Sequence, residues 1–367
     1  MKRGGKIKIQ PIGLILILII LKSMSSCVIP NVQKSNPLLG RIENNRITSK
    51  ALEGNLLGDP ATREFEVYLP PDYDTSGKRY PVVFVLHGMG RNARYLVDPS
   101  RKAMDDLIQK KEAGEMILVF PDGSNKLGGS FYMNSPTIGD YETYIAKELV
   151  GLIDATYRTI PNRNSRGIMG CSMGGWGALH LALKYPEVFG VAAPMSGFGI
   201  FYPHETPTSW KLLFSVLTHR KAPDESSRFI NPADFLSFLW RTRCGVAVAA
   251  ATSSNPDKPP LYLDLPYKFE KRGLVVDREV VQKADSMDTL NDIKRYLDQP
   301  IRLNALLIYA DNEFDEFYEA RLRAMDRDLT DRGLPHDFVL VDAGHCDYAF
   351  SPILKFMNDH LEFEQAE

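Results

Sequence analysis

The stretch RGIMGCSMGGWGALHLALKYP, residues 166–186, places one serine between two glycines where two sequence patterns meet. The residues before Ser172 are apolar or small, as in a buried strand, and those after it favour a helix. Gly170, Ser172 and Gly174 form a G-x-S-x-G motif at this junction. The pattern predicts a sharp strand-to-helix turn that exposes the Ser172 hydroxyl as a nucleophile. An ordinary helix-capping serine in a glycine-rich turn is the alternative.

Strand-like and helix-like segments alternate on both sides of this motif. Buried strands that alternate with helices indicate an α/β fold with a mainly parallel sheet and helices on both faces. The predicted strands are 63–69, 82–88, 116–123, 166–170, 189–197, 304–310 and 338–344. The predicted helices are 100–113, 141–158, 172–185, 317–332 and 351–362.

Residues 198–303 interrupt the alternation with an aromatic-rich stretch that carries the sequence PDKPP at 256–260. We expect a mostly helical insertion there, above the carboxyl ends of the strands, within one domain that spans 51–367. The polar residues 28–50, with their prolines and asparagines, indicate a tether that precedes this domain.

The first 27 residues have the composition of an export signal. Four basic residues precede the apolar run from Ile12 to Leu21, which is too short to cross a bilayer. The following string MSSC resembles a bacterial lipoprotein signal, in which Cys27 would be lipidated. A plain signal peptide and an uncleaved anchor are the alternatives. We therefore expect an exported protein of the cell envelope that contacts the membrane only through this lipid or anchor.

Charge and residue spacing argue against several classes of partner. Lysine and arginine (44) nearly balance aspartate and glutamate (46), so the chain has no basic surplus to hold nucleic acid. No histidine–carboxylate cluster with metal-ligand spacing is apparent, and we expect neither a metal nor an organic cofactor.

A serine nucleophile needs a base and an acid that orients the base. Among seven histidines, His345 is the one that directly follows a predicted strand, 338–344. The acid should follow strand 304–310, where Asp311 and Asp315 both qualify by spacing alone, beside Glu313 and Glu316. An oxyanion hole needs two backbone donors. One is the N–H of Met173, and the other should come from the Gly88–Met89 turn.

Taken together, these motifs resemble the esterase D-like branch of the α/β-hydrolases from about residue 48 to 362. That branch includes feruloyl and acetyl-xylan esterases, S-formylglutathione hydrolases and the antigen 85 mycolyltransferases. The matching strings are REFEVYLPPDYD, YPVVFVLHGMG, GCSMGGWGALHLALKYPEVFG and AGH. The resemblance implies an α/β-hydrolase fold and N–H donors from Met89 and Met173. It also favours Asp315 over Asp311, because N-E-F-D-E-F fits the family's G-x-x-D-x-F setting with Asn312 in place of glycine.

Two cysteines adjoin the expected nucleophile and base: Cys171 precedes Ser172, and Cys346 follows His345. The arrangement resembles fungal tannases and related feruloyl esterases, in which a disulfide ties the serine to the histidine. A Cys171–Cys346 bridge is therefore expected. Two small, buried apolar side chains are the alternative.

The sequence as a whole indicates a serine carboxylic ester hydrolase that uses Ser172, Asp315 and His345. The resemblance and the export signal suggest feruloyl or acetyl esters on polysaccharide, or a small-molecule ester, as substrate. An acyltransferase, a peptidase and a catalytically silent binding module are the alternatives. Tyr132, Asn134 and Glu142 either face the substrate or are simply exposed to solvent.

Overall fold

A computed structural model of the chain describes residues 40–197, 243–265, 267–270, 273–284, 289–311, 316–347 and 350–364. Its centre is an eight-stranded sheet with strand order β1-β2-β4-β3-β7-β8-β11-β12, and two further strand pairs lie outside it. The strands are β1 (Arg41–Thr48), β2 (Thr62–Leu69), β3 (Val82–Leu86), β4 (Ile117–Pro121), β5 (Asn134–Ser135), β6 (Gly139–Asp140), β7 (Arg166–Cys171), β8 (Val191–Met195), β9 (Tyr267–Glu270), β10 (Gly273–Val276), β11 (Ala305–Asp311) and β12 (Asp337–Val341).

From β4 to β12 every neighbouring pair of strands in this sheet is parallel, while β1 and β2 are added antiparallel. Parallel neighbours need crossover connections, and the helices supply them. The helices are α1 (Val97–Gln109), α2 (Tyr141–Thr143, Tyr144–Leu149 and Val150–Thr156 in succession), α3 (Met173–Lys184), α4 (243–252), α5 (Arg278–Ala284), α6 (Thr289–Leu297), α7 (Glu316–Asp331) and α8 (Phe350–His360).

The helices cover both faces of the sheet. Side chains of α1 and α8 pack on one face, and side chains of α2, α3 and α7 pack on the other. Every residue of the central strands β3, β4, β7 and β8 is buried, because both of their faces are covered. The predicted α/β-hydrolase fold is thus confirmed.

The tether predicted over 28–50 is wrong for its second half. Arg41–Thr48 is a full edge strand that pairs antiparallel with all of β2. The sequence RIENNRIT offers only two apolar residues, so the strand forms because an open sheet edge is available to it. Residues 28–39 of the tether, and the export signal with Cys27, lie outside the described residues.

Helix α2 contains one irregular turn. Its segment Tyr144–Leu149 is π-helical, and the helix is regular on both sides. Tyr144, Ile145 and Leu149 in this segment are fully buried against the sheet. One extra residue in the turn shifts the buried face of the helix, so that both of its halves contact the core.

The described part of the insertion, 243–303, contains three helices, but it also contains a β-hairpin that the helical prediction did not include. β9 and β10 pair antiparallel over four residues each. Helix α4 packs against the β5–β6 turn, where the Ser135 hydroxyl donates to the carbonyl of Ala250 at 2.6 Å. Residues 198–242 lie outside the described residues. Among the residues described, none of the helices has the length and hydropathy needed to cross a membrane.

Candidate active site

Ser172 is at a sharp turn between β7 and α3. Its backbone angles, φ 57° and ψ −118°, are strained for a residue with a side chain. Two hydrogen bonds hold the turn: the Ser172 N–H donates to the Met195 carbonyl at 2.9 Å, and the Trp176 N–H donates to the Ser172 carbonyl at 3.0 Å. The strained geometry matches the predicted nucleophile turn rather than an ordinary helix cap.

The flanking glycines leave room for this turn. A Cβ added to Gly170 would lie 2.5 Å from the Gly174 carbonyl oxygen. A Cβ added to Gly174 would overlap the carbonyl of Leu86 on β3. Close packing of backbone on backbone therefore requires glycine at both positions, as the G-x-S-x-G motif predicts.

The structure brings His345 and Asp311 together beside this turn. Asp311 is the last residue of β11, and its Oδ2 lies 3.2 Å from His345 Nδ1. The Asp311 side chain is fully buried, whereas 24% of the His345 side chain is exposed. A proton on Nδ1 that points to Asp311 leaves the lone pair on Nε2, which is the tautomer that a general base needs.

Asp311 is itself held in place from the neighbouring strand. Its backbone N–H donates to the Ser196 hydroxyl oxygen at 3.0 Å, and the Ser196 N–H donates to the Tyr309 carbonyl at 2.9 Å. The sequence spacing left Asp311 and Asp315 open. Asp315 lies outside the described residues, so the preference for it stays a prediction, while the geometry supports Asp311.

A disulfide joins Cys171 to Cys346, with 6.0 Å between the two Cα atoms. The bridge links the residue before Ser172 to the residue after His345, which are 175 residues apart in the chain. It therefore ties the strand-to-helix turn covalently to the loop that carries the base.

The Gly88–Met89 turn, after β3, lies against the nucleophile. A Cβ added to Gly88 would be 3.4 Å from the Ser172 Cβ and 4.0 Å from its hydroxyl oxygen. Met173, whose N–H is the other predicted donor, directly follows the serine and begins α3. Two peptide groups thus border the place where an oxyanion would form.

A histidine that the sequence offered only as part of a turn orients one of these peptides. The Gly123 N–H donates to His87 Nε2 at 2.8 Å, so a neutral ring carries its proton on Nδ1. Nδ1 then donates to the Gly88 carbonyl at 2.8 Å. A trans peptide is planar, so a fixed Gly88 carbonyl directs the Met89 N–H the opposite way. His87 thereby helps to position one donor of the candidate oxyanion hole.

Of the three residues that the sequence placed either at the substrate or in solvent, Tyr132 and Glu142 are buried and Asn134 is half-buried. Tyr132 is fully buried, and its hydroxyl donates to the His87 carbonyl at 2.9 Å. The Asn134 side chain accepts the Glu142 N–H at 2.9 Å. A buried tyrosine or glutamate needs hydrogen-bond partners of this kind. The three residues therefore support the structure around the site.

Glu142 belongs to a second histidine–carboxylate cluster, which also contains His180 and Asp292. His180 Nδ1 lies 2.7 Å from Asp292 Oδ2, and its Nε2 lies 3.2 Å from Glu142 Oε1. Burial lowers the pKa of His180, but the two carboxylates outweigh it and raise the pKa to about 9. Burial raises the pKa of Glu142, yet His180 and Lys184 bring it down to about 2. The cluster is a buried ion network that joins α2, α3 and α6.

Groups of three or more histidine, cysteine or carboxylate side chains placed to hold a metal ion do not occur within the described ranges.

Comparison with known proteins points in the same direction. Residues 60–230 match the family model described as a putative esterase. An esterase of Mycobacterium tuberculosis is 35% identical over 159 residues, which cover 42% of this chain and 31% of the relative. An endo-1,4-beta-xylanase/feruloyl esterase of Xylanibacter ruminicola is 31% identical over 169 residues, which cover 43% of this chain and 23% of the relative. The chain thus spans less than a third of the length of these two relatives.

A solved ferulic acid esterase superposes with a TM-score of 0.57 at 21% identity, over 88% of this chain and all of that one. This likeness shows a shared fold. The match to the family model covers the segment that holds Ser172 and the Gly88–Met89 turn. Residues 60–230 are thus similar to the esterase family, and the described chain has the α/β-hydrolase fold that its structural neighbours share.

Proposed function

We propose that this protein is an exported serine esterase that removes acyl groups, such as feruloyl or acetyl, from polysaccharide. The observation that carries the proposal is the His345–Asp311 pair, tied by the Cys171–Cys346 bridge to the strained turn of Ser172. A binding module would have no use for a strained serine beside an oriented histidine.

In the proposed reaction, Ser172 Oγ attacks the ester carbonyl carbon while His345 Nε2 accepts the hydroxyl proton. Asp311 holds the imidazole in the required tautomer and stabilises its charged form. The N–H groups of Met89 and Met173 stabilise the oxyanion of the tetrahedral intermediate. His345 then gives its proton to the leaving alcohol, and an acyl group remains on Ser172.

Water completes the cycle. His345 Nε2 takes a proton from a water molecule, whose oxygen attacks the acyl carbon, and the second tetrahedral intermediate collapses to release the acid and restore Ser172. An alcohol in place of water would make the enzyme an acyltransferase. Both outcomes use the same residues, so product analysis with added sugar acceptors is needed to separate them.

Two observations of different kinds support the proposal of a polysaccharide substrate. The Xylanibacter relative is named as a xylanase joined to a feruloyl esterase, and the structural neighbour is named as a ferulic acid esterase. The predicted lipid at Cys27 would hold the enzyme at the cell surface, where polymeric substrates are met. Export is tested by cell fractionation, in which Cys27→Ala is expected to move the protein from the membrane fraction to a soluble fraction.

The activity is tested with the full chain on p-nitrophenyl acetate and methyl ferulate. We expect Ser172→Ala to lower kcat by at least about 1,000-fold, as in enzymes with this triad. A matched control is Ser254→Ala, a serine on the insertion whose hydroxyl accepts from Thr137, and it should keep its activity within a few-fold. If the folded wild-type protein hydrolyses neither ester, or if Ser172→Ala is as active as the wild type, the proposal is wrong.

A further inference from the structure

An open cleft adjoins the candidate oxyanion hole on the side of the Gly88–Met89 turn. It has a volume of about 470 Å³, and its lining includes Arg91, Arg94, Tyr95, Ser124, Asn125 and Arg243. Gly90 and Gly128 form part of its floor, and the Gly90 N–H donates to the Gly128 carbonyl at 2.7 Å. Since Gly90 directly follows Met89, a molecule in this cleft would be next to an ester carbonyl bound at the Met89 N–H.

Arg91 stacks on Tyr95 in a way that leaves its guanidinium N–H groups available to a ligand. Its guanidinium carbon lies 4.2 Å from the centre of the Tyr95 ring, and 40% of Tyr95 is exposed. A guanidinium stacked on an aromatic face keeps its N–H groups in the plane of the stack, where they can bind a carboxylate or a phosphate. The exposed part of the same ring offers a surface on which a sugar can pack.

Arg243, at the start of the described part of α4, reaches the cleft from the insertion. Its Nε donates to the Leu127 carbonyl at 3.1 Å, which fixes the position of the side chain. This hydrogen bond does not use the two terminal nitrogens of the guanidinium. Gly128 makes room for it, since an added Cβ would lie 2.5 Å from Arg243 Nε. Gly128 also has φ +104°, which other residues rarely adopt.

The cleft carries a net positive charge. Arg94 is balanced by Glu66, 2.9 Å from its Nε, and by Glu64 at 3.8 Å. Within the described part of the chain, the ion pairs include neither Arg91 nor Arg243. Two guanidinium groups beside one exposed aromatic ring favour a ligand that is both a sugar and an anion.

We propose that this cleft binds an anionic sugar of the saccharide that carries the ester, with Arg91 and Arg243 on its negative group. The proposal builds on the esterase function proposed above, and it names the substrate class as esters of acidic saccharides. The anion is a carboxylate, as in a uronic acid, or a phosphate ester. Both present the same oxygen acceptors to a guanidinium, and experiment separates them.

Binding is measured by titration calorimetry on the full chain with Ser172→Ala, so that no ester or sugar is turned over. The probes are a galacturonic acid trisaccharide, glucose 1-phosphate and neutral xylotriose. We expect one of the two anionic probes to bind more tightly than xylotriose, and its affinity to fall as salt is raised. Arg91→Gln with Arg243→Gln should weaken that binding by about tenfold or more.

Two further variants control for charge and fold. Arg327→Gln removes one exposed positive charge from α7, which contributes no residue to the lining of the cleft, and should leave the binding unchanged. Arg91→Lys keeps the charge but not the planar fork, so it should bind between the wild type and Arg91→Gln. The inference is overturned if neither anionic probe binds better than xylotriose, or if the double glutamine variant binds as tightly as its parent.

The two proposals can fail separately. If the wild-type chain hydrolyses no ester while the anionic sugar binds through Arg91 and Arg243, the esterase function is wrong and the cleft assignment stands. If p-nitrophenyl acetate is hydrolysed but the anionic probes do not bind, the esterase function stands and the cleft assignment is wrong.

Discussion

The protein contains two histidine–aspartate pairs with the same contact at Nδ1, for which we propose different roles. His345 Nδ1 lies 3.2 Å from Asp311, and His180 Nδ1 lies 2.7 Å from Asp292. The difference is at the other ring nitrogen, because His180 Nε2 faces Glu142 at 3.2 Å. With a carboxylate at both nitrogens His180 holds both protons, so it has no lone pair with which to act as a base.

Burial separates the two pairs further. Only 3% of the His180 side chain is exposed, and Trp176 stacks on its ring at 4.7 Å. His345 is in a loop at the carboxyl end of a strand and is partly exposed, where a substrate can reach it. A histidine serves as a base when one nitrogen is oriented by an acid and the other faces the reactants. Two acids on one buried ring raise its pKa to about 9, so it is a cation at neutral pH and part of the ion network between helices.

The largest expected effect distinguishes the two histidines directly. His345→Ala should lower kcat on p-nitrophenyl acetate by about 1,000-fold or more while the protein unfolds at nearly the same temperature. His180→Ala should change kcat by less than tenfold but cost about 3 kcal/mol of stability, because it leaves two carboxylates buried without their cation. The measurements are steady-state kinetics and denaturant unfolding of both variants. Equal losses of activity in the two would remove the distinction.

The second-largest expected effect on kcat comes from the carboxylate that orients His345. Asp311→Asn should lower kcat by roughly 1,000-fold, since an amide no longer holds the imidazole in the basic tautomer. Asp315→Asn, the matched variant four residues later, should stay within about tenfold of wild type. If the two results are reversed, the family pattern that favoured Asp315 is right, and the Asp311 contact only supports the fold.

The His345–Asp311 pair also differs from the His180 cluster in having a disulfide next to it. Cys346→Ser removes the bridge beside the catalytic pair and should lower the free energy of unfolding by about 3 kcal/mol, since the bridge closes a long loop. Cys244→Ser, at a cysteine outside the bridge, is the control and should lose much less. Unfolding in urea with and without reductant gives both values. A stability that does not respond to reductant in the wild type would contradict the prediction.

The smallest expected effect is a pH dependence of stability that is caused by the buried cluster of Glu142, His180 and Asp292. The pKa of His180 is raised from 6.5 to about 9, so its contribution is complete below pH 6.5 and is lost as pH rises through 9. We expect a loss on the order of 2 kcal/mol across that range. The pKa of Glu142 is lowered from 4.5 to about 2, so its contribution is present above pH 4.5 and is lost on acidification.

A melting profile from pH 5 to 10 tests the first part of this prediction. His180→Asn keeps a polar side chain but cannot titrate, so its profile should be flatter than that of wild type between pH 6.5 and 9. A variant with the wild-type slope would show that other groups produce the dependence.

Local sequence was sufficient to predict those strands and turns that depend only on neighbouring residues. The apolar runs of β3 and β4 and the apolar or small residues of β7 predicted buried parallel strands, and the glycines around Ser172 predicted the strained turn. The order of the motifs placed His345 at the end of a strand. These features depend on periodicity and on backbone sterics within a few residues, which a single sequence displays.

Other features depend on partners far away in the chain. RIENNRIT became an edge strand only because β2 had an unpaired edge. Tyr132 and Glu142 are buried because residues of α3 pack against them. Likewise, the choice between Asp311 and Asp315 could not be made from spacing, since both follow the same strand.

The sequence by itself therefore determined the fold class and placed a cysteine pair beside Ser172 and His345, the predicted nucleophile and base. Tertiary structure alone showed that Asp311 lies beside His345, that His180 lies between two acids, and that Arg91 and Arg243 meet at one cleft from positions 152 residues apart. The physical reason is range. Strand burial and turn sterics act over a few residues, whereas hydrogen bonds and ion pairs are set by distances that only the folded chain creates.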